Sequence, residues 1–135
     1  MLPPTNKFTF LTQNVEGHER SLDSCQTLIN KLKPDFFFRQ EDWLFGFEHY
    51  KLSNINFSYM GLGKSVDCNE PILNSRTKKA KWGLDVLFNK KLNSSINPID
   101  NISNSRIQVL KFQAEIPLIL VNIYLPSSGL PPHLV

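Results

Sequence analysis

Three consecutive phenylalanines, Phe36-Phe37-Phe38, inside the run Asp35-Phe36-Phe37-Phe38-Arg39-Gln40, constrain the fold of this chain more than any other feature. Successive side chains of a strand point to opposite faces, so a strand that is apolar at adjacent positions is buried on both sides and belongs in the interior of a sheet. Upstream, Leu22, Cys25, Leu28, Ile29 and Leu32 recur at helical spacing. Ser21 is the candidate N-cap, Asp23 falls in the first turn, and Lys33-Pro34 stops the run. Earlier still, Lys7 to Asn14 has the aromatic, β-branched alternation of a strand. Strand, helix and doubly apolar strand together argue for an α/β layered fold.

Beyond this unit, Phe57 to Leu62 is a weaker strand candidate, and residues 66–81 are polar, interrupted by Pro71 and expected to be looped. Gly83 to Phe88, Arg106 to Phe112 and Leu118 to Tyr124 each read as a strand, so the second half reads as an antiparallel meander. Pro126-Ser127-Ser128-Gly129 then breaks the pattern. No internal repeat or linker-like tract divides the 135 residues, which are read as one domain, 1–135. One helix for about six strands leaves a sheet face uncovered, and an apolar face without a partner promotes dimerisation or aggregation.

Cys25 and Cys68 lie far apart with no zinc-type spacing and no signal peptide before them, so reduced thiols and an intracellular location, nuclear or cytoplasmic, are expected. No apolar run approaches the roughly 18 residues of a spanning helix, which argues against a membrane partner. His18, His49 and His133 fall in no ligand spacing. The net charge of +3 is unevenly placed. Arg76, Lys78, Lys79, Lys81, Lys90 and Lys91 face the single acid Asp85 within residues 76–91, so that stretch carries +5 and the remainder −2. A local basic run of this kind can follow a phosphate backbone, and Lys78, Lys79 and Lys81 are the candidate nucleic-acid contacts.

The apolar run ends in Gln40-Glu41-Asp42-Trp43-Leu44. An acid placed where a buried strand runs out into a loop is where a sheet presents a metal ligand to its substrate. Taken singly, Asn14 reads as a strand-end residue, Glu41 as a solvated loop acid and Tyr124 as a core aromatic with a wet hydroxyl.

Taken in order, Asn14-Val15-Glu16-Gly17, Lys33-Pro34-Asp35, Gln40-Glu41-Asp42-Trp43-Leu44, Gly83 to Phe88, Ser105-Arg106-Ile107 and Val121-Asn122-Ile123-Tyr124-Leu125-Pro126 resemble the endonuclease/exonuclease/phosphatase superfamily. More closely, they resemble the apurinic-endonuclease-like domain at the start of the reverse-transcriptase polyprotein of non-LTR (LINE-type) retrotransposons. The resemblance implies a deoxyribonuclease-I-like four-layer α/β sandwich, of which this chain supplies about one sheet and one main helix. It implies that Asn14 helps hold the scissile phosphate and that Glu41 is the principal ligand of a catalytic Mg2+ or Mn2+, with Glu16 as a further acid near the metal. It implies that Gln40 orients Glu41, that Tyr124 contacts the phosphate, and that Asn122, two residues earlier, points toward the same cleft. DNA is the implied partner.

The departures from the family pattern weigh as much. Its later Asp-Xaa-Asn pair, further Asp and Ser-Asp-His triplet are absent, so the chain is read as the N-terminal half of the domain. Loss of general-base assistance alone lowers rates by about two to four orders of magnitude, so this polypeptide is not expected to cleave DNA efficiently by itself, and Glu41 is expected to bind magnesium weakly. Asp85 sits in a strand that is usually apolar in relatives, and an inward-facing acid there is either paired or carries a desolvation cost. Two readings follow: the first half of a metal-dependent DNA-nicking phosphodiesterase, or a non-catalytic retrotransposon relic or domesticated fragment that binds nucleic acid or a partner through its exposed sheet face.

Overall fold

The computed structural model describes residues 7–65, 67 and 82–125. Strand β1 (Phe10–Asn14) leads into helix α1 (His18–Leu32), which returns to β2 (Phe36–Gln40). β1 and β2 pair in parallel, Phe10 opposite Phe36 and Asn14 opposite Gln40. A 3-10 segment, Gly46–Asn54, precedes β3 (Tyr59–Lys64), and β4 (Leu84–Asn89) inserts between β2 and β3, antiparallel to both. The first sheet therefore has the order β1-β2-β4-β3, with the doubly apolar β2 in its interior.

The helix starts earlier than its apolar spacing indicates. His18 is its first residue and Gly17 its N-cap, while Ser21 lies one turn inside and returns its hydroxyl to the Gly17 carbonyl at 2.8 Å. Lys33 closes the helix in a left-handed conformation, its N–H bonded to the Ile29 carbonyl at 2.8 Å. No helix among the described residues is long and apolar enough to cross a membrane.

The strands after β4 do not prolong a single meander. β5 (Ile96–Pro98), β6 (Ile107–Phe112) and β7 (Leu118–Ile123) form a separate antiparallel sheet that lies across the first. The second sheet thus covers the first sheet's face, correcting that part of the expectation, while β7 keeps Ile119, Val121 and Ile123 outward and exposed. Phe37, on one side of β2, packs with Cys25 and Ile29 of α1 and with Leu44, Leu52, Tyr59 and Leu87. Phe36, on the other side, packs with Val86, Phe88, Ile96, Leu110 and Phe112 between the two sheets, and its ring meets Phe112 edge-on at 5.0 Å. Phe36, Phe37, Phe88 and Phe112 are fully buried, and each contributes about 1.5–3 kcal/mol of burial free energy. Helix, sheet and sheet thus make three layers, and the ends of β1, β2 and β7 supply the residues singled out by the sequence.

Candidate active site

Where β1 and β2 finish, the backbone turns sharply. Among the described residues five non-glycine residues have left-handed φ, and four of them lie here: Glu16 at 48°, Glu41 at 56°, Trp43 at 59° and Trp82 at 70°. Such conformations cost of order 1–3 kcal/mol each and persist only where the surroundings over-determine them. The surroundings here are a backbone zipper. Val15 N–H bonds Gln40 O, Gly17 N–H bonds Glu41 O, His18 N–H bonds Asp42 O, and Trp43 N–H bonds Trp82 O, at 2.8–2.9 Å. Gly83 is required at its position: φ is 85° and a Cβ would sit 2.5 Å from Asp42 Oδ1.

Glu41 leaves β2 half-buried, and the Tyr124 hydroxyl, just past β7, donates to its Oε1 at 3.0 Å. This contact joins the two sheets. Burial first, then the hydrogen bond to Glu41 and the negative charges of Glu41 and Glu16, raise the Tyr124 pKa, so the phenol stays neutral and keeps its proton for donation. Among the described residues Tyr124 is the one hydrogen-bond partner of the Glu41 carboxylate. The second carboxylate oxygen is thus left for a hard cation, which takes oxygen donors of this kind. The fit is partial: among the described residues no group of three or more His, Cys, Asp or Glu side chains is placed to hold a metal ion.

Asn14 ends β1, in register beside Gln40, and its exposed side chain accepts the Glu16 N–H at 3.1 Å. Glu16 is exposed on the same turn and contributes to the electrostatics of Tyr124. Asn14, Glu16, Glu41 and Tyr124 are therefore brought to one end of the molecule. Lys78, Lys79 and Lys81 lie outside the described residues.

Two expectations need correction. Asn122 does not present its amide to an open cleft. It is 2% exposed and donates to the carbonyls of Arg39 at 3.2 Å and Asp85 at 3.0 Å and to Gln108 Oε1 at 3.3 Å, while accepting from Gln40 Nε2 at 2.9 Å. The reason is that even-numbered positions of β7 face the first sheet, so the side chain points into the interlayer space. Gln40, in turn, spends its amide on Thr12 and Asn122 rather than on Glu41, and the group that orients Glu41 is Tyr124.

Sequence reasoning missed the polar cluster beneath the loop. Arg39 is fully buried against α1 and takes Asp85 with both Nε and Nη2, while Nη2 also lies 3.1 Å from His18 Nδ1 and Nη1 donates to Cys25 Sγ at 3.6 Å. Burial works against the Arg39 charge, but Asp85 outweighs it and raises the Arg39 pKa. Because the guanidinium has only donors, His18 Nδ1 must accept, and the imidazole is neutral; burial first, and then the Arg39 charge, depress its pKa. Asp42 is fully buried, accepts the Leu44 N–H at 3.0 Å and leaves Oδ2 without a partner. Burial, followed by the nearby Asp85 charge, pushes its pKa well above the ordinary value of 3.8. The one sequence signal for this cluster was Asp85 itself, and its inward orientation is answered by Arg39.

Arg106 was legible only as part of a motif. Its carbonyl accepts the Tyr124 N–H at 3.0 Å and its guanidinium stacks over the Trp82 ring at 5.3 Å, which places a cation beside Tyr124.

No family model matches the chain, and no curated protein matches it. Solved structures do. The AP endonuclease LMAP from Leishmania major superposes with a TM-score of 0.64 at 16% identity, covering 91% of this chain and 41% of that one. The 3' phosphatase NExo from Neisseria, bound to a product DNA hairpin, superposes at 0.59 with 15% identity over 87% of this chain and 41% of that one. TDP2 from C. elegans gives 0.56 and 15% over 90% and 36%. The fold is thus the deoxyribonuclease-I-like α/β sandwich, and this chain spans about two fifths of the length of the first two of these structures.

Proposed function

We propose that this chain is the N-terminal part of a divalent-metal-dependent phosphodiesterase, a DNA-nicking endonuclease of the retrotransposon type. The single observation that carries the reading is the 3.0 Å hydrogen bond from Tyr124 to Glu41, made across two sheets at the end where four left-handed residues gather. The resemblance in sequence order and the likeness in fold to an AP endonuclease and to a phosphatase bound to a DNA hairpin support it. The retrotransposon setting rests on the Gln40-Glu41-Xaa-Trp43-Leu44 string.

In this reading Glu41 would hold Mg2+ or Mn2+, with Glu16 adding negative charge nearby. Such an ion, when bound, polarises a phosphoryl oxygen and acidifies water. Tyr124 holds Glu41 in one rotamer and, having a single hydroxyl proton, gives up that bond when it donates to a phosphate oxygen of entering substrate. Asn14 positions the scissile phosphate from the neighbouring strand end, and Lys78, Lys79 and Lys81 follow the flanking backbone. Asn122 serves by locking β7 to β2 and β4. No residue described here takes the proton of the attacking water, so turnover by this chain alone is about two to four orders of magnitude below that of a site with a general base.

The test is nicking of supercoiled plasmid by the 135-residue chain with Mn2+ or Mg2+, beside Glu41→Ala and Tyr124→Phe. Slow, metal-dependent nicking that Glu41→Ala abolishes and Tyr124→Phe weakens is expected. Cleavage indifferent to Glu41, or none with either ion, contradicts the reading.

A further inference from the structure

The turn that carries Glu41 is bordered by two tryptophans, and each has an arginine laid on its ring. Arg20, in the first turn of α1, lies over Trp43 at 5.9 Å, and Arg106, immediately before β6, lies over Trp82 at 5.3 Å. The two indoles are tied together. Trp43 N–H bonds Trp82 O at 2.9 Å, and both residues are held at left-handed φ, a region that bulky side chains seldom enter. Strain of this kind gathers at sites that bind or react, and here it sets both rings at the rim of the candidate active site.

Both tryptophans are half-buried and both arginines exposed. Among the described residues neither guanidinium forms an ion pair. The acid next to Arg20 in the chain, Glu19, is taken by Lys51 instead. An arginine stacked on an indole keeps its donors in a fixed plane and loses less side-chain freedom on meeting a phosphate than one loose in water. Glu16 and Glu41, at the same end of the molecule, repel an anion, and the two guanidinium groups offset that repulsion. Arg106 stands on the Tyr124 side, its carbonyl accepting the Tyr124 N–H at 3.0 Å, and Arg20 follows Glu16 by four residues. Fixed cations on both sides of a phosphate-cleaving centre match the phosphates that flank the scissile one.

We propose that Arg20 on Trp43 and Arg106 on Trp82 form a clamp for the nucleic-acid backbone, one arginine on either side of the scissile position. The clamp rests on the phosphodiesterase reading above, but it is measured as binding in EDTA, where metal-dependent cleavage is silent, so the two fail separately.

Fluorescence anisotropy of a labelled DNA duplex of about 20 base pairs, titrated with the 135-residue chain from about 50 to 200 mM salt, reads it directly. Arg20→Gln and Arg106→Gln are each expected to weaken binding about five- to tenfold at 0.1 M salt and to lower the slope of log K against log salt by about 0.9, with the far-UV circular dichroism unchanged. Arg106→Lys, which keeps the charge, restores the slope. Glu41→Gln binds at least as tightly as the wild type, because a repelling carboxylate is gone. Lys31→Gln, at the far end of α1 and about 20 Å from its start, changes neither affinity nor slope. Arginine variants that bind with wild-type affinity and slope, a loss in Lys31→Gln equal to theirs, or no binding by the folded wild-type chain would each overturn the proposal.

Discussion

Arg39 and Asp85 stand opposite each other in register on β2 and β4, joined by two hydrogen bonds, Nε to Oδ1 at 2.8 Å and Nη2 to Oδ2 at 2.7 Å, with neither side chain exposed. A buried pair of this kind is costly to break from one side, because the surviving charge is left uncompensated. Asp85→Ala is expected to lower stability by about 3–5 kcal/mol, whereas the double change Arg39→Met with Asp85→Leu recovers most of the loss. Urea unfolding of the three proteins checks this; a double variant no more stable than the single one would show that the pair does not act as a unit.

Asp42 gives stability a pH dependence of defined sign. Its folded pKa lies above the ordinary value of 3.8, so the folded chain holds the proton over a range in which the unfolded chain has lost it. The stability this confers is complete below about pH 4 and falls as pH rises through the folded value. Asp42→Asn keeps an acceptor for the Leu44 N–H and removes the titrating group. It should therefore flatten the decline and match or exceed the wild type at pH 7. Parallel stability curves from pH 4 to 8 would contradict the assignment.

His18 acts with the opposite sign. Its folded pKa is depressed below 6.5, so the stability it contributes is present above pH 6.5 and is lost as pH falls through the folded value. His18→Gln should leave the neutral-pH stability within about 1–2 kcal/mol, the worth of the Arg39 contact, and flatten the acid limb below pH 6.5. An unchanged acid limb would place the titration elsewhere.

Gly17 and Gly83 fix the loop that carries Glu41. At Gly17, φ is 104° and a Cβ would lie 2.7 Å from the Trp43 ring. Gly17→Ala and Gly83→Ala are each expected to destabilise by more than about 1 kcal/mol, measured by thermal melting. A neutral Gly83→Ala would mean that Asp42 moves aside without consequence.

The sequence reading placed β1, β2, β4, β6 and β7 and identified α1, because each carries either a doubly apolar run or a clear period. It missed Ile96–Pro98 and the 3-10 segment Gly46–Asn54, whose structure comes from packing under β6 and over β3 rather than from local pattern. It also read β6 and β7 as continuing one antiparallel meander with β4, since periodicity reports which side of a strand is apolar and not which sheet it joins. For the site, the strand end pointed to Glu41, whereas Asn14 and Tyr124 were singled out only by the resemblance in motif order. Asn122 was misread because the two-residue period that links it to Tyr124 does not say that the strand is buried at one position and emerging at the next. Arg39 was invisible as a core residue, because a cation in an apolar run looks like a surface position until its partner, forty-six residues away, is known.

The central claim is that Glu41 holds a divalent cation at the junction of the two sheets. The most direct measurement is paramagnetic broadening of backbone amide resonances by Mn2+ titrated into the labelled chain and into Glu41→Gln. The account predicts broadening confined to the turns around Asn14, Glu16, Glu41 and Tyr124, with millimolar-range affinity, and its disappearance in Glu41→Gln. Broadening centred elsewhere, or unchanged by Glu41→Gln, would contradict it.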